Sequence, residues 1–159
     1  MASNRSAAPN VLLIANAILY LIVIVISSWG VNHAIAKSYK TASIMEMPAR
    51  IFPIYFPFGN LATGFVIIYS LIAGTVGFMT SITGIIHNLG QPKSSDLHSD
   101  VAFSLISWLL TLLAMGLACK EISLGWTDST LRTLEIILII LSGTQLFSTV
   151  QYMQELKRI

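Results

Sequence analysis

The chain has 159 residues, enough for one soluble domain, yet 55% are apolar and only 10% charged, against roughly 45–50% and about 25% in ordinary globular proteins. So few charges cannot cover a water-facing surface, so much of the surface faces lipid. The net charge of +2, with no basic cluster larger than Lys157-Arg158, excludes a nucleic-acid footprint and a polybasic lipid patch. The single cysteine, Cys119, excludes a disulfide framework within the chain.

Taken in chain order, the first element is the apolar run "VLLIANAILYLIVIVISSW", about residues 11–29. Its length suits a bilayer core, which takes about 20 helical residues. "AIA" at 34–36 resembles a signal-peptide cleavage site, but the apolar stretch exceeds a typical signal core, so an uncleaved span is expected. Asn16 and Tyr20 lie one turn apart and form its polar face.

Residues 30–60 read as one long loop, rich in aromatic residues and proline. Its centre is "IFPIYFPFGN", residues 51–60. Pro53 and Pro57 break a helix. Phe52, Tyr55, Phe56 and Phe58 favour the headgroup boundary. The segment therefore lies on or dips into the interface, and Asn60 is placed to cap the next helix. It serves either as an anchor or as a lid over a small-molecule path.

The second span covers about 61–87 and carries Ala73, Gly77 and Ser81 at i, i+4, i+8, with Gly84 and Asn88 extending that face. Helices in lipid associate through close backbone approach and polar pairing, so small and polar positions mark packing faces. His87 closes the span as an interfacial residue. Residues 88–100 read as a mobile hydrophilic loop. The third span, about 101–118, carries Ser104, Ser107, Thr111, Ala114 and Ala118 on one stripe. Cys119 reads as a small buried residue at its end, with palmitoylation as the alternative. After a short loop over 119–132 comes the fourth span, about 133–153, with Ser142, Gln145, Ser148 and Thr149 on a broad polar face. None of the four spans contains proline, and backbone groups in hydrocarbon must pair internally, so all four are expected as helices. The fold class is all-α: one integral membrane four-helix bundle with a long first loop.

Four spans place both termini on one side of the membrane. Arg5, Lys93, Lys157 and Arg158 on that side oppose Lys37, Lys40, Arg50, Lys120 and Arg132. The basic residues therefore do not fix the orientation. A short tail left untranslocated favours cytoplasmic termini.

Lys120, Glu121, Arg132 and Glu135 gather at one membrane edge. Arg132 and Glu135, three apart on a helix, are spaced to pair. The group reads either as a structural clasp or as a polar site where Lys120 or Arg132 meets an anion and Glu135 relays a proton. His33, His87 and His98 share no ligand spacing and no cysteine pair accompanies them, so neither metal nor cofactor is expected. The sequence has no phosphate-binding glycine loop, zinc-protease motif or nucleophile elbow, and no enzyme is expected.

"WGVNHAI" (29–35), "PIYFPFGNLATGF" (53–65), "SLIAG" (70–74), "LTLLAMGLACKEI" (110–122), "LRTLE" (131–135) and "ILSGTQL" (140–146) together resemble the AWPM-type plasma membrane proteins of plants. The resemblance covers most of the chain, from about Trp29 to Leu146. It implies a small four-helix plasma membrane protein expressed under abscisic acid, cold, drought or seed desiccation, and makes abscisic acid uptake an expectation.

A weak acid presents an apolar body and one carboxylate, so its site needs aromatic walls and a cation. By their chemistry, Phe52, Tyr55 and Phe56 supply the walls, Arg50, Lys120 or Arg132 the cation, and Glu135 the proton coupling. Four helices leave little room for a path, so a homo-oligomer using the glycine stripe of the second span is expected to assist. The alternative reading is a non-catalytic tetraspan protein that stabilises the membrane or organises a partner during dehydration.

Overall fold

A computed structural model describes residues 7–44, 61–90, 94–123 and 129–157. They form four helices: α1 (Ala7–Ile44), α2 (Leu61–Leu89), α3 (Ser94–Ser123) and α4 (Ser129–Leu156). All four are long and apolar enough to cross a membrane. Each packs on its two neighbours around a square, α1 on α2 and α4, and α3 on α2 and α4. The all-α bundle expected from the apolar runs is what the chain forms.

The helices outrun the apolar runs. α1 continues past Trp29 to Ile44, so the first half of the expected 30–60 loop is helical. No proline interrupts that stretch. Gly30 costs little there because its missing side chain makes room for Ile67, whose Cδ1 lies 2.9 Å from where a Cβ would stand. α3 begins at Ser94, inside the stretch expected to be a mobile loop, and runs on to Ser123. Polar composition marks where a helix leaves hydrocarbon, not where it ends. Pro9 lies in the first turn of α1, where a missing N–H is tolerated. α2 stops at Gly90, whose N–H donates to the Ile86 carbonyl at 3.1 Å. The segment "IFPIYFPFGN", with Phe52, Tyr55 and Phe56, lies outside the described residues, as do Arg50 and Asn60.

Buried positions recur at alternating steps of three and four on every helix. On α1 they are Leu13, Asn16, Tyr20, Val23, Ser27, Gly30 and Ala34, with Ala17 buried beside Asn16. On α3 they are Leu97, Asp100, Ser104, Ser107, Thr111, Ala114, Ala118 and Glu121. This is the heptad spacing of helices that pack side by side along their whole length. On α2 every seventh buried position, Thr63, Ser70, Gly77 and Gly84, is small. The Tyr20 ring fills the space that a Cβ on Gly77 would occupy, and the Tyr152 hydroxyl does the same at Gly84.

Ala73, Gly77 and Ser81 are buried within this bundle. The stripe expected to receive a second copy is therefore occupied inside the subunit. Outward faces are apolar: Met79 and Phe147 are each 66% exposed, and Ile18, Val25 and Leu109 also face out. With asparagine, glutamine and glutamate inside and bare isoleucine, leucine and phenylalanine outside, the burial pattern of a water-soluble bundle is inverted, as lipid requires.

Candidate functional site

The polar interior begins with a layer near the chain termini. Asn16 Nδ2 donates to Gln145 Oε1 at 3.2 Å and to Ser148 Oγ at 3.1 Å. Gln145 Nε2 donates to Ser104 Oγ at 3.3 Å. The Thr149 hydroxyl donates its one proton to the Gln145 carbonyl at 2.9 Å, so Ser104 is the donor in their 2.8 Å contact. The same argument fixes the next layer. Thr111 donates to the Ser107 carbonyl at 2.8 Å, so Tyr20 donates to Thr111 Oγ1 at 2.9 Å. These chains tie α1, α3 and α4 together where hydrocarbon offers no other partner.

Toward the chain-terminal end, His87 Nδ1 meets both carboxylate oxygens of Asp100, at 2.9 and 2.8 Å. Asn88 Nδ2 donates to Asn10 Oδ1 at 3.0 Å. The His87–Asp100 pair joins α2 to α3 across the "NLGQPKSSDLHSD" connection. Sequence reading placed Asp100 in a loop and so left His87 without a partner. The signal was present: Asp100 stands four residues before Ser104, on the buried stripe of α3.

Beside this pair a fissure of about 450 Å³ opens on the outer face between α2 and α3, lined by Thr75, Val76, Met79, Thr80, Thr83, Asp100 and Phe103. The three threonine hydroxyls donate to carbonyls of their own helix, a common way to satisfy them in lipid. The walls are therefore apolar to a guest, and the one ionisable group on them is Asp100.

At the opposite end the four charges separate. Glu121 is 1% exposed and Glu135 4%, both facing inward, while Lys120 and Arg132 are exposed. No ion pair joins any two of the four. Helix geometry gives the reason: Glu121 continues the Thr111–Ala114–Ala118 stripe at the next step of three, and Lys120 is turned about 100° from it. Thr63 Oγ1 donates to Glu121 Oε1 at 2.5 Å. Among the described residues Glu121 Oε2 has no hydrogen-bond partner, nor do the buried hydroxyls of Ser27 and Ser70. Cys119 is exposed, which corrects the expectation of a buried thiol: the buried position is Ala118, and the next residue turns outward.

Of the expected site residues, Glu135 reaches the interior, Lys120 and Arg132 face outward, and Arg50, Phe52, Tyr55 and Phe56 lie outside the described residues. Thr63 was missed because its role appears only when α2 and α3 are placed together.

Residues 14–154 match the AWPM-19-like family. The chain is 37% identical over 136 residues to "Membrane protein PM19L" of Oryza sativa subsp. japonica, covering 85% of this chain and 70% of that protein. No solved structure matches it.

Proposed function

The chain belongs to the AWPM-19-like family and is a multi-pass membrane protein, and from that premise we propose that it works at the plasma membrane, helping a small weak acid such as abscisic acid to cross. The observation that carries this reading is the fissure between α2 and α3. Its volume of about 450 Å³ falls within the ordinary range for small-molecule sites, about 300–1,000 Å³. It offers an apolar wall along its length and one ionisable group, Asp100, which is bonded to His87. A weak acid has the matching form. Its ring or chain lies against Met79 and Phe103, and its carboxyl reaches Asp100, to which the neutral acid donates. Exposed Lys120 and Arg132 at the other end gather or release the anion at headgroup level.

The test is uptake of labelled abscisic acid by proteoliposomes with an alkaline interior. The reading expects uptake above protein-free liposomes. It also expects a loss of about tenfold in Met79→Trp, equivalent to ~1.4 kcal/mol. Met79 faces outward, so the larger ring fills the fissure without entering the core. No uptake under any imposed gradient would overturn it.

A second reading has its own support. The interior is closed by side-chain hydrogen bonds and by the Tyr20–Gly77 fit, which suits a rigid non-catalytic tetraspan protein that stabilises the membrane or holds a partner during dehydration and cold. On that reading liposomes carrying the protein leak less on drying, and Met79→Trp has no effect.

A further inference from the structure

We propose that the end of the bundle formed by Thr63, Glu121 and Glu135 is a binding site for one small monovalent cation. The proposal goes beyond the uptake reading and holds whether or not the chain moves a weak acid.

The sequence offered a structural clasp or an anion site here, because two cations and two anions share this edge. The arrangement in space reverses the sign. Both carboxylates point into the bundle and both cations point out of it. Glu121 and Glu135 stand within electrostatic range of each other, and Arg132 acts on Glu135 from the exposed side without forming an ion pair. Inside, a guest therefore meets two carboxylates and one hydroxyl.

The second observation is independent of charge count. Glu121 is 1% exposed and one of its oxygens, Oε2, has no hydrogen-bond partner among the described residues. A buried carboxylate oxygen in that position is strongly unfavourable unless something positive meets it. Among the described residues no charged group bonds that oxygen. On α1, Lys37 and Lys40 are exposed. On α2, no charged residue lies within several turns of Thr63. On α3 and α4, Lys120 and Arg132 are exposed. Above this site, on the same inner face of α2 as Thr63, Ser70 adds a second buried and unpartnered oxygen. Ser27 adds a third from α1.

The ligand set selects the cation class. Two carboxylates and neutral hydroxyl oxygens are hard donors, with no nitrogen or sulfur among them, so soft and borderline transition metals are disfavoured. Among the described residues no group of three or more His, Cys, Asp or Glu is arranged to hold a metal ion. Calcium sites use several charged oxygen ligands and magnesium demands a near-ideal octahedron and sheds water reluctantly, whereas a singly charged ion makes weaker demands on charge and geometry. Sodium, potassium and the proton remain. All three share the chemistry of a single positive charge met by carboxylate oxygen.

The experiment uses the full chain in lipid nanodiscs. Thermal unfolding is followed in choline, sodium and potassium chloride at one ionic strength, and in choline chloride from mildly alkaline to mildly acid pH. Wild type is expected to gain about 5 °C at saturation with one of the three cations. Glu121→Gln should gain less than about 1 °C with the same cation. The arm that responds identifies the cation. For the proton, the response counted is the difference between wild type and Glu121→Gln, which removes titration elsewhere. A wild type indifferent to all three cations, or an equal response in Glu121→Gln, overturns the proposal. If Glu121→Gln does not fold, Thr63→Val and Glu135→Gln take its place. Loss of the response in either supports the site, and its retention in both overturns it.

Discussion

The two halves of the bundle interior use polar side chains in opposite ways. In the half nearer the chain termini, Asn16, Gln145, Ser104 and Thr149 pass hydrogen bonds from helix to helix, and Tyr20 reaches across to Thr111. Asn16 Oδ1 and the Tyr152 hydroxyl are the buried side-chain oxygens of that half left without a hydrogen-bond partner among the described residues. In the other half, Ser27 and Ser70 face inward with no side-chain hydrogen-bond partner among the described residues, and there Glu121 is bonded by Thr63 alone. The first half holds helices together, and most of its polar groups are spent on one another. The second half leaves oxygens free to meet something else. Burial alone does not distinguish the two, since both serines and Tyr20 are fully buried.

Mutations that enlarge the first half should therefore be costly, and mutations that remove oxygens from the second should not. The largest effect is expected at Gly77→Val, where the new side chain meets the Tyr20 ring. A loss of about 3 kcal/mol is expected, read as early unfolding in a denaturing detergent titration. Normal stability would show that α1 and α2 do not pack at this register. Asn16→Leu comes next. It removes the donor to Gln145 and Ser148 and should lower stability by about 1–2 kcal/mol in the same titration. The smallest effect is expected at Ser70→Ala, within about 0.5 kcal/mol of wild type, because no hydrogen bond within the protein is lost. A loss at Ser70→Ala equal to that at Asn16→Leu would erase the contrast between the halves.

Much of the fold was legible in the sequence for one physical reason. In hydrocarbon the backbone must satisfy itself, so a proline-free apolar run of about 20 residues is a helix. Where the chain leaves hydrocarbon that constraint lapses. Residues 30–44 and 94–100 look like loop by composition and are helix.

Within the candidate site, charge type was legible and charge direction was not, although the means were at hand. Ser104, Ser107, Thr111, Ala114 and Ala118 define a stripe, and one more step of three arrives at Glu121. Pairing Arg132 with Glu135 by sequence distance overlooked that Leu131, Leu134 and Leu138 turn α4 inward on the side of Glu135. The fissure between α2 and α3 was invisible because it belongs to neither helix alone. The Thr63–Glu121 hydrogen bond joins residues 58 apart, a contact that no local pattern encodes.

The most direct test of the divided interior is water-edited solid-state NMR of the full chain in lipid bilayers, which reports how fast magnetisation passes from water to each side chain. Ser27, Ser70 and Glu121 should receive it quickly. Tyr20, Ser107, Thr111 and Gln145, closed in their hydrogen bonds, should receive it slowly. Equal transfer to both sets, or faster transfer to the Gln145 layer, would contradict the account.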